Sequence, residues 1–116
     1  MWRAEFYKRE NGEKPVKVFL DSLDTKLRAK AVRDIEILCK YGNELREPYS
    51  KYIQDGIFEL RTKQSNNITR IMYFFYVDNK IILTNGFIKK TQKTPPSEIE
   101  KALKYKNDFE RRERNE

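Results

Sequence analysis

The chain has no histidine and a single cysteine, Cys39, among 116 residues. Without imidazole, Ser-His-Asp and Cys-His arrangements are excluded, and any proton transfer has to use lysine, tyrosine or a carboxylate. A structural zinc site takes about four ligands, usually with thiolate or imidazole among them, so it is excluded too. One thiol makes no internal disulfide, which fits a reducing compartment. Long apolar runs are also missing: the longest, Ile71 to Val77, falls well short of the roughly 20 residues of a helical membrane span. The opening Met-Trp-Arg-Ala-Glu carries no apolar leader stretch. These absences predict a cytoplasmic protein with no membrane contact, no metal and no cofactor.

What the chain does have is enough apolar and aromatic material, 38% and 13%, for the modest core of one domain over residues 1–116. It also has positive charge, with 25 Lys and Arg against 18 Asp and Glu. The surplus is concentrated. Between residues 61 and 94 stand Arg61, Lys63, Arg70, Lys80, Lys89, Lys90 and Lys93 against Asp78 alone, while the flanking segments are close to balanced. Clustered cations suit a polyanion, because binding phosphates releases condensed counterions. The plainer alternative is ordinary solvation of a small protein's surface.

The pattern along the chain predicts an α+β domain in the order β-α-α-β-β-β-α. Residues Trp2 to Lys8 alternate imperfectly before Asn11-Gly12 and read as a short strand. Val16, Phe19, Leu20 and Leu23 recur at helical spacing behind Pro15, which suits a first turn. A second helix, capped by Asp24, shows Leu27, Ala31, Ile35 and Leu38 on one face and stops at Gly42, completing a helical hairpin. Residues 43–55 are polar, contain Pro48 and read as loop. Strands follow at Ile57 to Thr62, Ile68 to Val77 and Lys80 to Ile88, with Thr62 to Asn67 and Asp78-Asn79 as turns, an antiparallel meander. After Pro95-Pro96, Ser97 and Glu100 have capping-box spacing, and Ile99, Ala102 and Leu103 open a helix that frays into Glu110 to Glu116.

Taking Asp78-Asn79 as a two-residue turn sets a register. Val77 then faces Lys80, and Arg70 faces Phe87. Side chains alternate along a strand, so Arg70, Met72, Phe74 and Tyr76 share a face with Phe87, Asn85, Leu83 and Ile81, and Lys89 joins them diagonally from Arg70. Two cations so placed repel unless an anion lies between them. Arg61 shares a face with Glu59 and Ile57 and joins this group if the register of the meander permits. In the alternative reading Arg70 pairs with Glu59 or Asp55, and Lys89 merely snorkels at a strand end. Phe87 reads either as core or as a base-stacking platform.

Three stretches carry a family resemblance. Gly56-Ile57-Phe58-Glu59-Leu60-Arg61, Arg70-Ile71-Met72-Tyr73-Phe74, and Ile82 through Pro95 with its Gly86-Phe87-Ile88-Lys89-Lys90 core resemble the RelE/HigB superfamily of toxin-antitoxin toxins, in particular its phage-derived HigB-like branch. The likeness extends over nearly the whole chain. It implies a RelE-like fold, with a helical hairpin and a C-terminal helix on a mainly antiparallel four-stranded sheet. It also implies an endoribonuclease that enters the ribosomal A site and cleaves mRNA, and a HigA-like helix-turn-helix antitoxin as partner. By position, Arg61 and Arg70 match the family's basic strand residues, and Lys89 and Lys90 the basic pair after the last core strand. Some members have lysine where this chain has Glu59, and some use a C-terminal tyrosine or histidine near the scissile phosphate; here Tyr105 falls inside a predicted helix.

The residues suit metal-independent RNA cleavage by the 2′-hydroxyl, which needs a base, a phosphate clamp and a donor for the leaving oxygen. Arg70 is the expected clamp, since guanidinium holds two phosphate oxygens in fixed geometry. Arg61 is a second clamp or leaving-group stabiliser. Lys89 or Lys90 serves as base if crowding lowers its pKa, with Glu59 the competitor. Lys63, Phe87 and Lys93 are expected to contact RNA. Lacking histidine, the set should be a poor nuclease on free RNA, so that the ribosome supplies much of the positioning. The rival functions are a ParE-like toxin that poisons gyrase by binding and a non-enzymatic nucleic-acid-binding module.

Overall fold

The computed structural model describes residues 1–90 and 92–115, so Thr91 of the basic stretch and Glu116 of the expected frayed tail lie outside the described residues. Its elements are β1 (Arg3–Phe6), α1 (Pro15–Ser22), α2 (Thr25–Tyr41), a 3-10 turn at Gly42–Glu44, β2 (Ser50–Gln54), β3 (Ile57–Gln64), β4 (Asn67–Tyr76), β5 (Lys80–Ile88) and α3 (Pro96–Arg114). The strands form one sheet in the order β1-β5-β4-β3-β2. Pairing is antiparallel from β2 to β5, and β1 lies parallel to β5.

The α+β class stands, but the expected four-stranded sheet is corrected to a mixed sheet of five. The added strand, β2, falls inside residues 43–55, which were expected as loop. Its sequence Ser-Lys-Tyr-Ile-Gln is half polar because β2 is an edge strand with little to bury. Its turn was nevertheless marked in the sequence: Asp55 and Gly56 both have positive φ, +50° and +82°, the left-handed pair that an Asp-Gly hairpin adopts. The next turn is tighter than expected. β3 and β4 run to Gln64 and Asn67, leaving Ser65-Asn66 between them.

The β4-β5 hairpin departs from its expected register in two places that cancel. Tyr76, not Val77, faces Lys80, which makes a three-residue loop of Val77-Asp78-Asn79 with Asp78 and Asn79 at φ +63° and +58°. A β-bulge at Thr84 then shifts the ladder back, so that Arg70 does face Phe87. Between loop and bulge the faces are exchanged relative to expectation. Ile82 opposes Phe74, while Leu83 opposes Tyr73 and Ile81 opposes Phe75.

Each face of the sheet carries its own core. The helical hairpin brings Val16, Leu20, Leu23, Leu27, Ala31 and Leu38 onto Leu60, Ile71, Tyr73, Ile81 and Leu83. Asp24 caps α2 as expected, accepting from the Leu27 amide at 3.0 Å, and Pro15 opens α1. At Gly86 α1 packs close against the sheet, since a Cβ there would meet the Phe19 ring at 2.4 Å. On the opposite face α3 covers Ile57, Met72, Phe74 and Ile82 with Ala102, flanked by Ile99, Leu103 and Phe109. The capping box expected at Ser97 and Glu100 does not form: α3 starts at Pro96 with Pro95 as its cap residue and no side-chain cap. Nor does the helix fray at Glu110, because it continues to Arg114, tied down where Asp108 accepts from the Tyr7 hydroxyl at 2.5 Å and pairs with Arg111 and Arg112.

Candidate functional site

β3, β4 and β5 carry the candidate residues to one end of the face that α3 leaves open. Arg61 is paired directly with Arg70, and Arg70 with Phe87. One step further along, Lys63 faces Ile68, whose carbonyl accepts from the Lys89 amide at 2.8 Å. Partners in register point to the same face, so Arg61, Lys63, Arg70, Phe87 and Lys89 converge there. The register condition left open for Arg61 is met.

A single carboxylate organises the two guanidinium groups. Glu59 is 1% exposed, a burial carboxylates rarely tolerate unless paired. Its Oε2 lies 3.2 Å from Arg61 Nε, which donates to it, and 3.4 Å from Arg70 Nε. Its Oε1 accepts from the Thr94 hydroxyl at 2.6 Å. Asp55, the other partner considered for Arg70, sits in the β2-β3 turn, where it meets Gln54 and Lys106 instead. Arg61 reaches out to the exposed Glu47 at 3.4 Å. Arg70 is 8% exposed, and its Nη1 donates to the Thr69 carbonyl at 3.0 Å. Burial pushes the Arg70 pKa down, with Glu59 opposing that shift and Arg61 adding to it.

Lys89 joins these charges. Burial, then the field of Arg70, lowers its pKa from the ordinary value; Glu59 opposes that shift, and Arg61 and Lys51 add to it by less. Three cations therefore act on an amine whose charge is already disfavoured by desolvation, the situation that frees a lysine to accept a proton. Lys63, Lys90 and Lys93 are exposed around the cluster. Phe87 is half-buried and packs into the core beneath α3, beside Met72 and Phe74, which favours the core reading of that ring.

The Asn85-Gly86-Phe87 run thus divides its side chains among three tasks. Asn85 Nδ2 donates to the Glu98 carbonyl at 3.2 Å and to its carboxylate at 3.0 Å, anchoring the start of α3. Gly86 admits Phe19, and Phe87 fills the opposite face. The connection from β5 to α3, which carries Lys89, Lys90 and Lys93, is pinned at one end by the Lys89 amide and at the other by Thr94 on Glu59.

Reading the chain as a sequence missed Lys51 and Tyr49, which enter with the unexpected β2. Lys51 stands opposite Glu59, and the Tyr49 carbonyl accepts from the Arg61 amide at 2.8 Å. The Asp55-Gly56 turn was the available signal. An open cleft of about 360 Å³ runs along this end of the sheet, bordered by Lys30, Asp34, Tyr49, Arg61, Lys63 and Arg70 among others.

Residues 18–107 match the family model described as phage derived protein Gp49-like (DUF891). The chain belongs to this family, within the RelE/HigB superfamily of toxins. It is similar to the probable endoribonuclease HigB1 of Mycobacterium tuberculosis, in strains CDC 1551 / Oshkosh and ATCC 25618 / H37Rv alike. Each is 42% identical over 53 residues, or 46% of this chain. The matched stretch spans 42% of the length of each relative. Among the described residues no helix is long and apolar enough to cross a membrane.

Proposed function

We propose that residues 1–116 form one toxin domain of a toxin-antitoxin system, acting in the cytoplasm as an endoribonuclease that cleaves mRNA on the ribosome. The observation that carries the reading is the facing pair Arg61-Arg70 with Lys89 in their field, a cluster of cations that would suit one phosphate. The names of the HigB1 relatives support RNA as substrate.

In this mechanism Arg70 clamps the scissile phosphate. Its near-burial strengthens each charged hydrogen bond it makes, since little water competes. Lys89, in its neutral form, takes the proton of the 2′-hydroxyl as that oxygen attacks phosphorus. The bond to the 5′ oxygen breaks, leaving a cyclic phosphate; Arg61 stabilises the leaving oxygen, which takes a proton from water to become the 5′-hydroxyl, and the protonated Lys89 returns its proton to the hydroxide so formed. Glu59 works as a positioning group: Thr94, Arg61 and Arg70 already occupy its carboxylate, and it holds both guanidiniums beside one another. Lys63, Lys90 and Lys93 hold the flanking phosphates, and Lys51 extends that surface. The partner that silences the toxin is a HigA-like antitoxin with a helix-turn-helix domain.

Primer-extension mapping of transcripts after brief induction tests this. Cuts should fall within translated regions for the wild type and vanish for Arg70→Ala, with the circular dichroism spectrum retained. Message cleavage that survives Arg70→Ala would remove that residue from the mechanism, and cuts spread equally over untranslated regions would remove the ribosome. Arg70→Lys should also lose most activity, because a point charge does not reproduce the two-oxygen grip.

A further inference from the structure

Tyr49 stands beside the cluster, and the mechanism above leaves it unused. Single exposed aromatics are common and by themselves mean little. Its position is what counts. The Tyr49 carbonyl accepts from the Arg61 amide at 2.8 Å, which continues the β2-β3 ladder by one step beyond Ser50 and Leu60. The register therefore sets four residues in one row across the sheet: Tyr49, Arg61, Arg70 and Phe87. Strands lie about 4.8 Å apart, so Tyr49 is held one strand from one guanidinium and two from the other. Phe87, at the far end, is spent on the core. Tyr49 is 46% exposed, yet it borders the same open cleft as Arg61 and Arg70, with Lys30 and Lys63 at the rim.

We propose that Tyr49 forms a stacking subsite for an unpaired nucleobase of single-stranded RNA, the base next to the phosphate held by Arg61 and Arg70. The inference rests on the RNA reading above and deepens it by naming where the neighbouring nucleotide lies. Every base has a π face, so such a contact holds RNA with little regard to sequence, while the cations at the rim meet the backbone. It requires the base to be splayed out of any helix, which restricts the site to single strands. The phenol hydroxyl plays no part, and a phenyl ring suffices.

The test uses the full chain with two short oligoribonucleotides at low salt, both with 2′-O-methyl riboses so that neither is cleaved, one normal and one with its internal positions abasic. Binding is read by fluorescence anisotropy. The wild type should prefer the base-bearing strand by about tenfold. Tyr49→Ala should lose about tenfold on that strand and none on the abasic one, with its thermal unfolding unchanged, and Tyr49→Phe should stay within about twofold of wild type. Arg70→Ala should weaken both strands alike. A wild type without preference between the strands, or a Tyr49→Phe that falls as far as Tyr49→Ala, overturns the subsite. If Arg70→Ala binds both strands as the wild type does, or the wild type binds neither, the phosphate reading itself falls, an outcome distinct from failure of the stack alone.

Discussion

Glu59→Gln isolates the electrostatic problem at the centre of this protein. The substitution preserves volume and an acceptor for Thr94 but removes the negative charge that lies between Arg61 and Arg70. Side chains directly opposite on neighbouring strands are about 5 Å apart. With an effective dielectric of about 20, two unit charges at that distance repel by about 3 kcal/mol. Experience with broken buried ion pairs brackets the same figure, at about 3 to 5 kcal/mol. The lower end applies, because the Arg61 side chain is 24% exposed and keeps Glu47 as a partner, whereas Arg70 is almost wholly enclosed. The expected loss is about 3 kcal/mol, or a fall in Tm of about 12 °C for a domain of this size. Urea unfolding followed by circular dichroism should show a lower midpoint at unchanged slope. Adding Arg70→Met to Glu59→Gln should restore more than half of the loss, since the repulsion then has only one member. Pyrophosphate at millimolar concentration should raise the Tm of the Glu59→Gln variant more than that of the wild type, as an anion fills the vacated role. A loss below about 1 kcal/mol, or strictly additive effects of the two substitutions, would refute the claim that Glu59 holds two mutually repelling cations in place.

Two further outcomes follow from the same geometry. Because burial and Arg70 lower the Lys89 pKa, its neutral fraction grows as pH rises, so cleavage in a translation extract should climb with pH and level off before the ordinary lysine value of 10.5. Lys89→Arg keeps the charge but cannot accept the proton; it should cost about a hundredfold or more and lose the rising limb, and an unaltered pH profile would take the base role from Lys89. Gly86→Ala should destabilise by about 1 to 3 kcal/mol, since its Cβ would fall 2.4 Å from the Phe19 ring, and Phe19→Leu should recover part of that; an undiminished urea midpoint for Gly86→Ala alone would contradict the close packing of α1.

How legible the chain was depended on how local each signal is. Helical periodicity in α1 and α2 and the Asp24 cap are decided within a few turns of backbone, and both helices form where the spacing placed them. The central strands β3, β4 and β5 were legible for the same reason, being dense in β-branched and aromatic residues that no exposed segment would carry. β2 was not, because an edge strand buries few side chains and leaves almost no hydrophobic alternation to read. The β4-β5 register illustrates a subtler limit. Arg70 was placed against Phe87 through a two-residue turn that does not exist, and the bulge at Thr84 restores what the longer loop had displaced. Thr84 supports that bulge by sharing its one hydroxyl proton between the Asn85 side-chain oxygen at 2.7 Å and the Met72 carbonyl at 3.2 Å, contacts that pairing rules cannot anticipate.

By itself the sequence determined the chemical repertoire: no imidazole, no set of metal-binding thiols, and a surplus of cations concentrated between residues 61 and 94. It also determined the helices and central strands, because propensity and periodicity act over a few residues. Only the tertiary structure decided that β1 runs parallel to β5, since a strand's alternation reads the same in either direction. Only it decided that Glu59 lies between Arg61 and Arg70 with Thr94 across from them, and that Tyr49 stands at the end of their row. Those outcomes depend on long-range pairing and on the cost of burying a charge unpaired, and both become definite only when distant segments of the chain are packed together.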